Sequence, residues 1–357
     1  MIKIVHIVTD TNIGGAGYHL LSILENYDRT RFIIEVIVPQ DSRLLPLIGK
    51  LAIMHEVDHI AEKSFSFKGI FAIRRVLREI KPDIVHTHSS FSGRVAGSFY
   101  GAKVLYSRHY CVTSTKWGFL NNLFCTKVIA TSDEVERGLV ASGVKPARIV
   151  KIRNGVAPVQ ELLEEEKAAI HKKYKIPENA FVVSQIGRLV ELKGHRHTIE
   201  AARLLLKDQP DVVIVIVGDG PMENELRSIK RSERLTNVIF TGYTSSVNEI
   251  LNITHLQLNA SSTENASLAL LEGLSLGIPA VATNVGGNPY IVTDNERGLL
   301  VPFGDGHAIY EAIVKIKNDF DLYATLRKNA KDGYEKNFRV ETMLEQLEAL
   351  YTKMEER

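Results

Sequence analysis

Short runs of β-branched and aliphatic residues recur along this chain, and most stay apolar at every position instead of alternating. They read IKIVHIV, FIIEVIV, DIVHTH, KVLYS and KVIAT, then FVVSQIG, VVIVIVGDG, NVIFTG, LQLNAS, IPAVATN and GLLVP. Strands without a polar face belong to a parallel sheet covered on both sides. Segments of helical period lie between them, among them 17–26, 68–79, 195–207, 221–231 and 267–276. Strand alternating with helix predicts an α/β, doubly wound architecture.

A chain of 357 residues exceeds the usual size of one core, so two such domains are expected. The alternation lapses once, at APVQELLEEEKAAIHKKYKIPENA (157–180), where a charged helical piece is bracketed by prolines. The boundary therefore falls near residues 155–180, with an N-terminal domain at 1–160, a C-terminal domain at 161–335 and a closing helix at 336–357. The helix carries Phe338, Met343, Leu347 and Leu350 at helical spacing, a stripe that needs a partner, and the first domain is the expected one. Charge divides the same way: residues 1–155 carry 21 Lys and Arg against 13 Asp and Glu, a net +8, and the remainder 23 against 29, a net −6.

Composition excludes several classes. Hydrophobic residues are 45% and charged residues 24%, with no low-complexity tract and no solenoid repeat. The opening MIKIVHIVTD lacks the basic start and cleavage site of a signal peptide and reads as a first strand. The longest apolar run, VVIVIV, is far short of the ~20 residues that span a bilayer. The expectation is a cytoplasmic protein whose membrane contact, if any, is peripheral on the inner face of the cell membrane. Cys111 and Cys125 show no metal or redox spacing and are expected to be reduced. No nucleic-acid partner is expected.

Three places carry chemistry. In VTDTNIGGAGYHLLSIL a strand meets Gly14, Gly15 and Gly17 before a helix, so backbone N–H groups could meet a phosphate; a tight turn that needs glycines explains the residues equally well. In IGRLVELKGHRHTIEA, Arg188 and Lys193 follow a strand and precede a helix, at the edge where open α/β sheets bind ligands. They suit a diphosphate, Arg as a fork and Lys as a point charge, or are a solvated basic loop. In SSTENASLALLEGLSLGIPAVATNVGG two carboxylates stand eight positions apart. With a helix starting near Ser267, Glu264 lies in a loop and Glu272 in the second turn, up to ~12 Å away at the helical rise. Glycosidase pairs stand ~5.5 to ~9.5 Å apart, so joint action on one bond is not expected. A ligand with hydroxyls at both ends and phosphates on the helix N-terminus fits the layout, although Glu272 also reads as an ordinary rim residue.

In order, GGAG, PDIVHTH, SRHY, VIATSDEV, IRNGV, IGRLVELKG, VIVGDGP, VIFTGY, ENASLALLEGLSLGIPAVATNVGG and RGLLVP resemble the family 4 glycosyltransferases. The resemblance covers nearly the whole chain. It implies a GT-B fold of two Rossmann-like domains facing across a cleft, the first for the acceptor and the second for a nucleotide-sugar donor, with retention of anomeric configuration. It also implies that Glu264 contacts the donor sugar, Glu272 the ribose, and Arg188 and Lys193 the pyrophosphate. Asn265, Ala266, Ser267 and Leu268 would give backbone contacts, Gly242 and Tyr243 would border the base, Gly14 and Gly15 would face the phosphates, and His109 would lie near the reacting side of the sugar. Two positions depart from the pattern: Tyr290 stands where the family has a glutamate after GGxP, and Asn265-Ala266-Ser267 replaces a Gly-Phe-Gly type sequence.

No cofactor or metal is expected. Asp319 and Asp321 read as surface, and His86 and His88 lack further ligands at motif spacing. The acceptor is expected to be a glycan or lipid-linked sugar. Residues 63–83 mix Phe65, Phe67 and Phe71 with Lys68, Arg74, Arg75, Arg78 and Lys81, which reads as a helix packed on the sheet and equally as a surface for anionic lipid. The rival functions are a GT-B-fold nucleotide-sugar epimerase and a binding module without turnover.

Overall fold

The computed structural model describes residues 1–11, 14–61, 65–88, 90–110, 118–244 and 246–356. The chain divides into two compact units, Met1–Gly155 together with Val340–Arg357, and Val156–Arg339. Each is built on one parallel sheet.

In the first unit the strands are β1 (Ile2–Val8), β2 (Phe32–Pro39), β3 (Ile53–Val57), β4 (Ile84–His88), β5 (Lys103–Arg108), β6 (Lys127–Ala130) and β7 (Ile149–Lys151). Their order is β3-β2-β1-β4-β5-β6-β7, with every neighbour parallel. The second unit contains β8 (Phe181–Ile186), β9 (Val212–Val217), β10 (Val238–Gly242), β11 (Leu256–Asn259), β12 (Ala280–Thr283) and β13 (Gly298–Val301), in the order β10-β9-β8-β11-β12-β13, also all parallel. The uniformly apolar runs account for this: β9 is buried at all six positions because helices cover both of its faces. Each sheet reverses its order once, between β1 and β4 and between β8 and β11, and a ligand crevice opens at the carboxyl ends of the strands at such a point.

The C-terminal stretch differs from a single helix. One helix, Phe320–Asn337, ends at Phe338, and a second runs over Val340–Glu355. Between them Arg339 pairs with Val156 as an isolated parallel bridge, which interrupts the helical hydrogen bonds. Phe338 accordingly packs in the second unit with Val156, Leu274 and Tyr334, whereas Met343, Leu347, Leu350 and Tyr351 pack in the first unit with Leu20, Leu24 and Ile84.

Candidate functional site

At the carboxyl edge of the second sheet, β8 runs into Gly187 and Arg188, and a short 3-10 turn, Glu191–Lys193, leads to Gly194 at the start of helix His195–Asp208. Gly194 has φ +65°, and a Cβ there would fall 1.9 Å from the Ala260 carbonyl oxygen. Only glycine lets this loop touch the end of β11. The contact brings Lys193 to Glu264, with Nζ 2.5 Å from Oε2. Ser261 Oγ and Asn259 Nδ2 approach the same carboxylate oxygen at 3.3 and 3.4 Å. Gln185 donates from Nε2 to the Lys193 carbonyl at 2.7 Å and accepts at Oε1 from Thr198 Oγ1. A small polar cavity between β8 and β11 is lined by Gln185, Gly187, Lys193, His195, Asn259 and Ser261. His195 is held neutral by burial, its pKa lowered to about 4, with Nε2 3.3 Å from the Arg188 carbonyl. Arg188 itself is exposed, and its side chain has no ion-pair partner among the described residues.

The loop after β11 is pinned from the other side. The Gly287 N–H donates to the Glu264 carbonyl at 2.9 Å, and a Cβ on Gly287 would stand 1.7 Å from the Asn265 carbonyl oxygen. Asn288, fully buried, donates to the Thr283 carbonyl at 3.0 Å and fixes that turn. Helix Leu268–Ser275 starts one residue later than the sequence suggests, with Ser267 as its N-cap accepting from the Leu270 N–H. Leu268 and Ala269, in the first turn ahead of Leu270, carry N–H groups that no side chain among the described residues caps, at the positive end of the helix. Glu272 lies in the second turn. It is half-buried, its carboxyl has no hydrogen bond or ion pair among the described residues, and burial raises its pKa to about 7. One glutamate is thus paired and the other unpaired, on two sides of a helix N-terminus. Gly242, at φ +73°, ends β10 on the same sheet edge, and Tyr243 beside it is exposed. Tyr290 meets the Phe338 ring edge-on, with ring centroids 5.5 Å apart.

Gly14, Gly15 and His109 belong to the first unit. Gly14 is the N-cap of helix Gly15–Asn26 at φ −102°, and neither it nor Gly15 has a positive φ. Among the described residues a Cβ on Gly15 would meet nothing within 4 Å, and one on Gly14 only ordinary contacts, so neither position is crowded by them. Gly17 does have a packing reason, because Leu44 lies 3.0 Å from its Cβ position. His109 follows β5 and joins four other histidines at the β1/β4 switch point: His6 on β1, His86 and His88 on β4, and His19 on the first helix. All five are buried. Burial lowers His6 to about 3 and His19 to about 4, and holds His86, His88 and His109 well below the ordinary imidazole range.

Two triplets, His6/His86/His88 and His19/His88/His109, bring one nitrogen each within 4.8 Å of the others. The rings nonetheless point at one another. His6 Nδ1 lies 2.9 Å from His88 Nε2, and His88 Nδ1 lies 3.0 Å from His109 Nε2, both in hydrogen-bond geometry. In the second triplet the buried His19 Nδ1 has no hydrogen-bond partner among the described residues.

Residues 166–333 match the family described as Glycosyl transferases group 1, and residues 13–160 match Glycosyltransferase Family 4, so the matches fall almost wholly one on each unit. An Escherichia coli relative, a UDP-Gal:alpha-D-GlcNAc-diphosphoundecaprenol alpha-1,3-galactosyltransferase, is 28% identical over 80% of this chain and 79% of its own length. The crystal structure of Anabaena HepE in complex with UDP and glucose superposes with a TM-score of 0.85 at 20% identity, covering 99% of this chain and 100% of that one. The chain belongs to the family 4 type of GT-B glycosyltransferases. A Staphylococcus aureus relative, the capsular polysaccharide biosynthesis glycosyltransferase CapM, is 26% identical over 64% of this chain and 62% of its own length.

In this glycosyltransferase the other sequence features have structural roles. Asp319 is the N-cap of helix Phe320–Asn337, accepting from the Leu322 N–H, and Asp321 is exposed in its first turn. Cys125 is a buried free thiol raised to about 11 by burial, and Cys111 lies outside the described residues. His6, His19 and the Gln185/Asn259/Asn288 scaffold were not singled out from sequence. A polar residue inside an otherwise apolar strand run, as in IKIVHIV, FVVSQIG and LQLNAS, is the signal that points to His6, Gln185 and Asn259, whereas His19 and Asn288 lie on helices and carry no such mark.

Proposed function

We propose that this glycosyltransferase moves a sugar from a nucleoside diphosphate sugar, a UDP- or GDP-sugar, to a glycan or lipid-linked acceptor with retention of configuration, in cell-surface polysaccharide or glycolipid assembly. The unpaired, half-buried carboxyl of Glu272, set beyond an open helix N-terminus from the Lys193–Glu264 pair, carries this reading. Glu272 binds the ribose, Arg188, Lys193 and the backbone at Asn265, Ala266, Ser267 and Leu268 take the pyrophosphate, and Glu264 takes the sugar hydroxyls. Gly242 and Tyr243 border the base. In the first unit Gly14 and Gly15 offer uncrowded backbone to a phosphate, and His109 serves the sugar. As the sugar leaves, charge grows on the diphosphate, and fixed cations and N–H groups meet it without reorganising. A panel of UDP-, GDP- and ADP-sugars in a thermal-shift assay tests the donor: one nucleotide class should raise the melting temperature, and no shift with any of them contradicts the proposal. Acceptor-dependent release of the nucleoside diphosphate separates transfer from epimerisation or simple binding.

Charge neutralisation by Arg188, Lys193 and the helix leaves no role for a divalent cation. Turnover is expected to be unchanged, within about twofold, by exhaustive chelation, since no Lewis acid is part of the proposed step. A large loss restored by Mg²⁺ or Mn²⁺ contradicts this.

The acceptor side rests on a surface of the first unit. Helix Phe67–Ile80 buries Ile70, Ile73, Leu77 and Ile80 against the sheet. Its outer face shows Phe67 at 71% and Phe71 at 66% exposure beside exposed Lys68, Arg75 and Arg78. Lys63 lies outside the described residues. No helix among the described residues is long and apolar enough to cross a membrane. Aromatic rings within a basic face suit an anionic lipid surface. Flotation with anionic vesicles should recover the protein and neutral vesicles should not; equal recovery from both rules the surface out.

A further inference from the structure

The histidines at the β1/β4 switch point form a continuous chain. From the inner end, Ser107 Oγ lies 2.7 Å from His86 Nε2, and His86 Nδ1 lies 2.7 Å from the Tyr351 hydroxyl. That hydroxyl lies 3.3 Å from His6 Nε2, His6 Nδ1 2.9 Å from His88 Nε2, and His88 Nδ1 3.0 Å from His109 Nε2. Four elements contribute, namely β1, β4, the end of β5 and the C-terminal helix Val340–Glu355. His6, His86, His88, Ser107 and Tyr351 are at most 1% exposed, and His109 is 7% exposed, so the chain runs from the interior toward the crevice at the strand ends.

A neutral imidazole has one N–H and one lone pair, and each inner ring here uses both nitrogens. The bonds therefore fix one another. If His109 carries its proton on Nε2, it donates to His88 Nδ1. His88 must then donate from Nε2 to His6, His6 from Nε2 to Tyr351, Tyr351 to His86 Nδ1, and His86 from Nε2 to Ser107. Reversing one bond reverses all of them and places every proton on Nδ1. Only two arrangements give every donor of the chain an acceptor within it; any other leaves two lone pairs or two N–H groups face to face, or has His6 and His86 both donating to Tyr351 with its own O–H left without an acceptor in the chain, at the cost of an unmade hydrogen bond in a buried place. The neutrality this requires agrees with the lowered pKa values of the rings.

We propose that Tyr351, through His6 and His88, is a positioning residue that sets the tautomer of His109, so that docking of the C-terminal helix determines whether His109 Nδ1 acts as donor or acceptor. The kinetic part of the proposal rests on the reading that His109 serves the donor sugar. The tautomer part does not. Nitrogen-15 NMR of histidine-labelled full-length protein reads each ring directly. His6, His86, His88 and His109 should share one tautomer in the wild type, and Tyr351→Phe, which removes one oxygen from a packed ring, should uncouple His6, His88 and His109 from His86 and change the tautomer pattern. With the best donor, Tyr351→Phe should lower kcat about fivefold, the worth of one ordinary hydrogen bond, with KM for the donor unchanged. Differing tautomers in the wild type overturn the proposal, as do a Tyr351→Phe spectrum that keeps the wild-type pattern, an unchanged kcat in that variant, or stoichiometric capture of added Zn²⁺ by the histidine rings. Failure of every nucleotide sugar to react sinks the donor reading instead, and the wild-type spectrum still decides the chain.

Discussion

Glu272→Ala is expected to weaken binding of the nucleoside diphosphate sugar about 10- to 100-fold, the worth of hydrogen bonds to a charged group. The carboxyl has no hydrogen bond or ion pair among the described residues, so it is free to meet a ligand. Its pH dependence gives a sharper signature. Burial raises Glu272 to about 7 from the ordinary glutamate value of 4.5. A raised carboxyl binds its proton more tightly when folded, so this group costs no stability below the unfolded value, costs more as pH climbs from there to about 7, and exerts its full penalty above. Glu272→Gln should therefore raise the melting temperature at pH 8 and not at pH 4, by at most about 3 kcal/mol in free energy. Donor binding has the opposite slope, since ribose hydroxyls donate best to the ionised carboxylate. Affinity should rise from pH 6 to pH 8 in the wild type and stay flat in Glu272→Gln. Calorimetric titration at three pH values checks both, and a flat wild-type profile contradicts the assignment.

Lys193→Ala is expected to lower kcat about 10²- to 10³-fold, as loss of a preorganised group facing the developing charge does. Stability should hardly change. The ammonium is partly exposed, its side chain 29% accessible, and a pair of that kind contributes at most about 1 kcal/mol. Activity and melting temperature thus separate. Lys193→Arg should recover only part of the activity, because the ammonium sits as a point charge against one oxygen of Glu264 and a planar fork does not fit there. Arg188→Ala should cost less than Lys193→Ala, since Arg188 is exposed and screened. Steady-state kinetics with saturating donor measure all three.

The two sheets were legible because burial on both faces leaves a mark on consecutive residues: VVIVIV can hardly be anything but a central strand, and it is β9. Glu264 and Glu272 were legible because a carboxylate among small and apolar neighbours is rare. Their difference was not. That Glu264 is held by Lys193 while Glu272 is unpaired depends on Gly194 meeting Ala260, a contact between positions far apart in sequence. The histidine chain was hidden for the same reason. His86 and His88 show their alternation in VHTH, but His6, His109 and Tyr351 join them only once four elements have packed together. Phe338 misled because a helical stripe continues across a break made by one bridge, Val156 to Arg339, which local periodicity does not record.

The central claim is that Glu264 and Glu272 hold opposite ends of one ligand, and one titration series tests it most directly. Free nucleoside diphosphate and the matching nucleotide sugar are titrated into the wild type, Glu272→Ala and Glu264→Ala. Glu272→Ala should weaken both ligands alike, because both carry the ribose. Glu264→Ala should weaken only the nucleotide sugar and leave the free diphosphate as tight or tighter, because Lys193 is then released to the phosphates. Equal weakening of both ligands by Glu264→Ala, or undiminished binding in Glu272→Ala, contradicts the account.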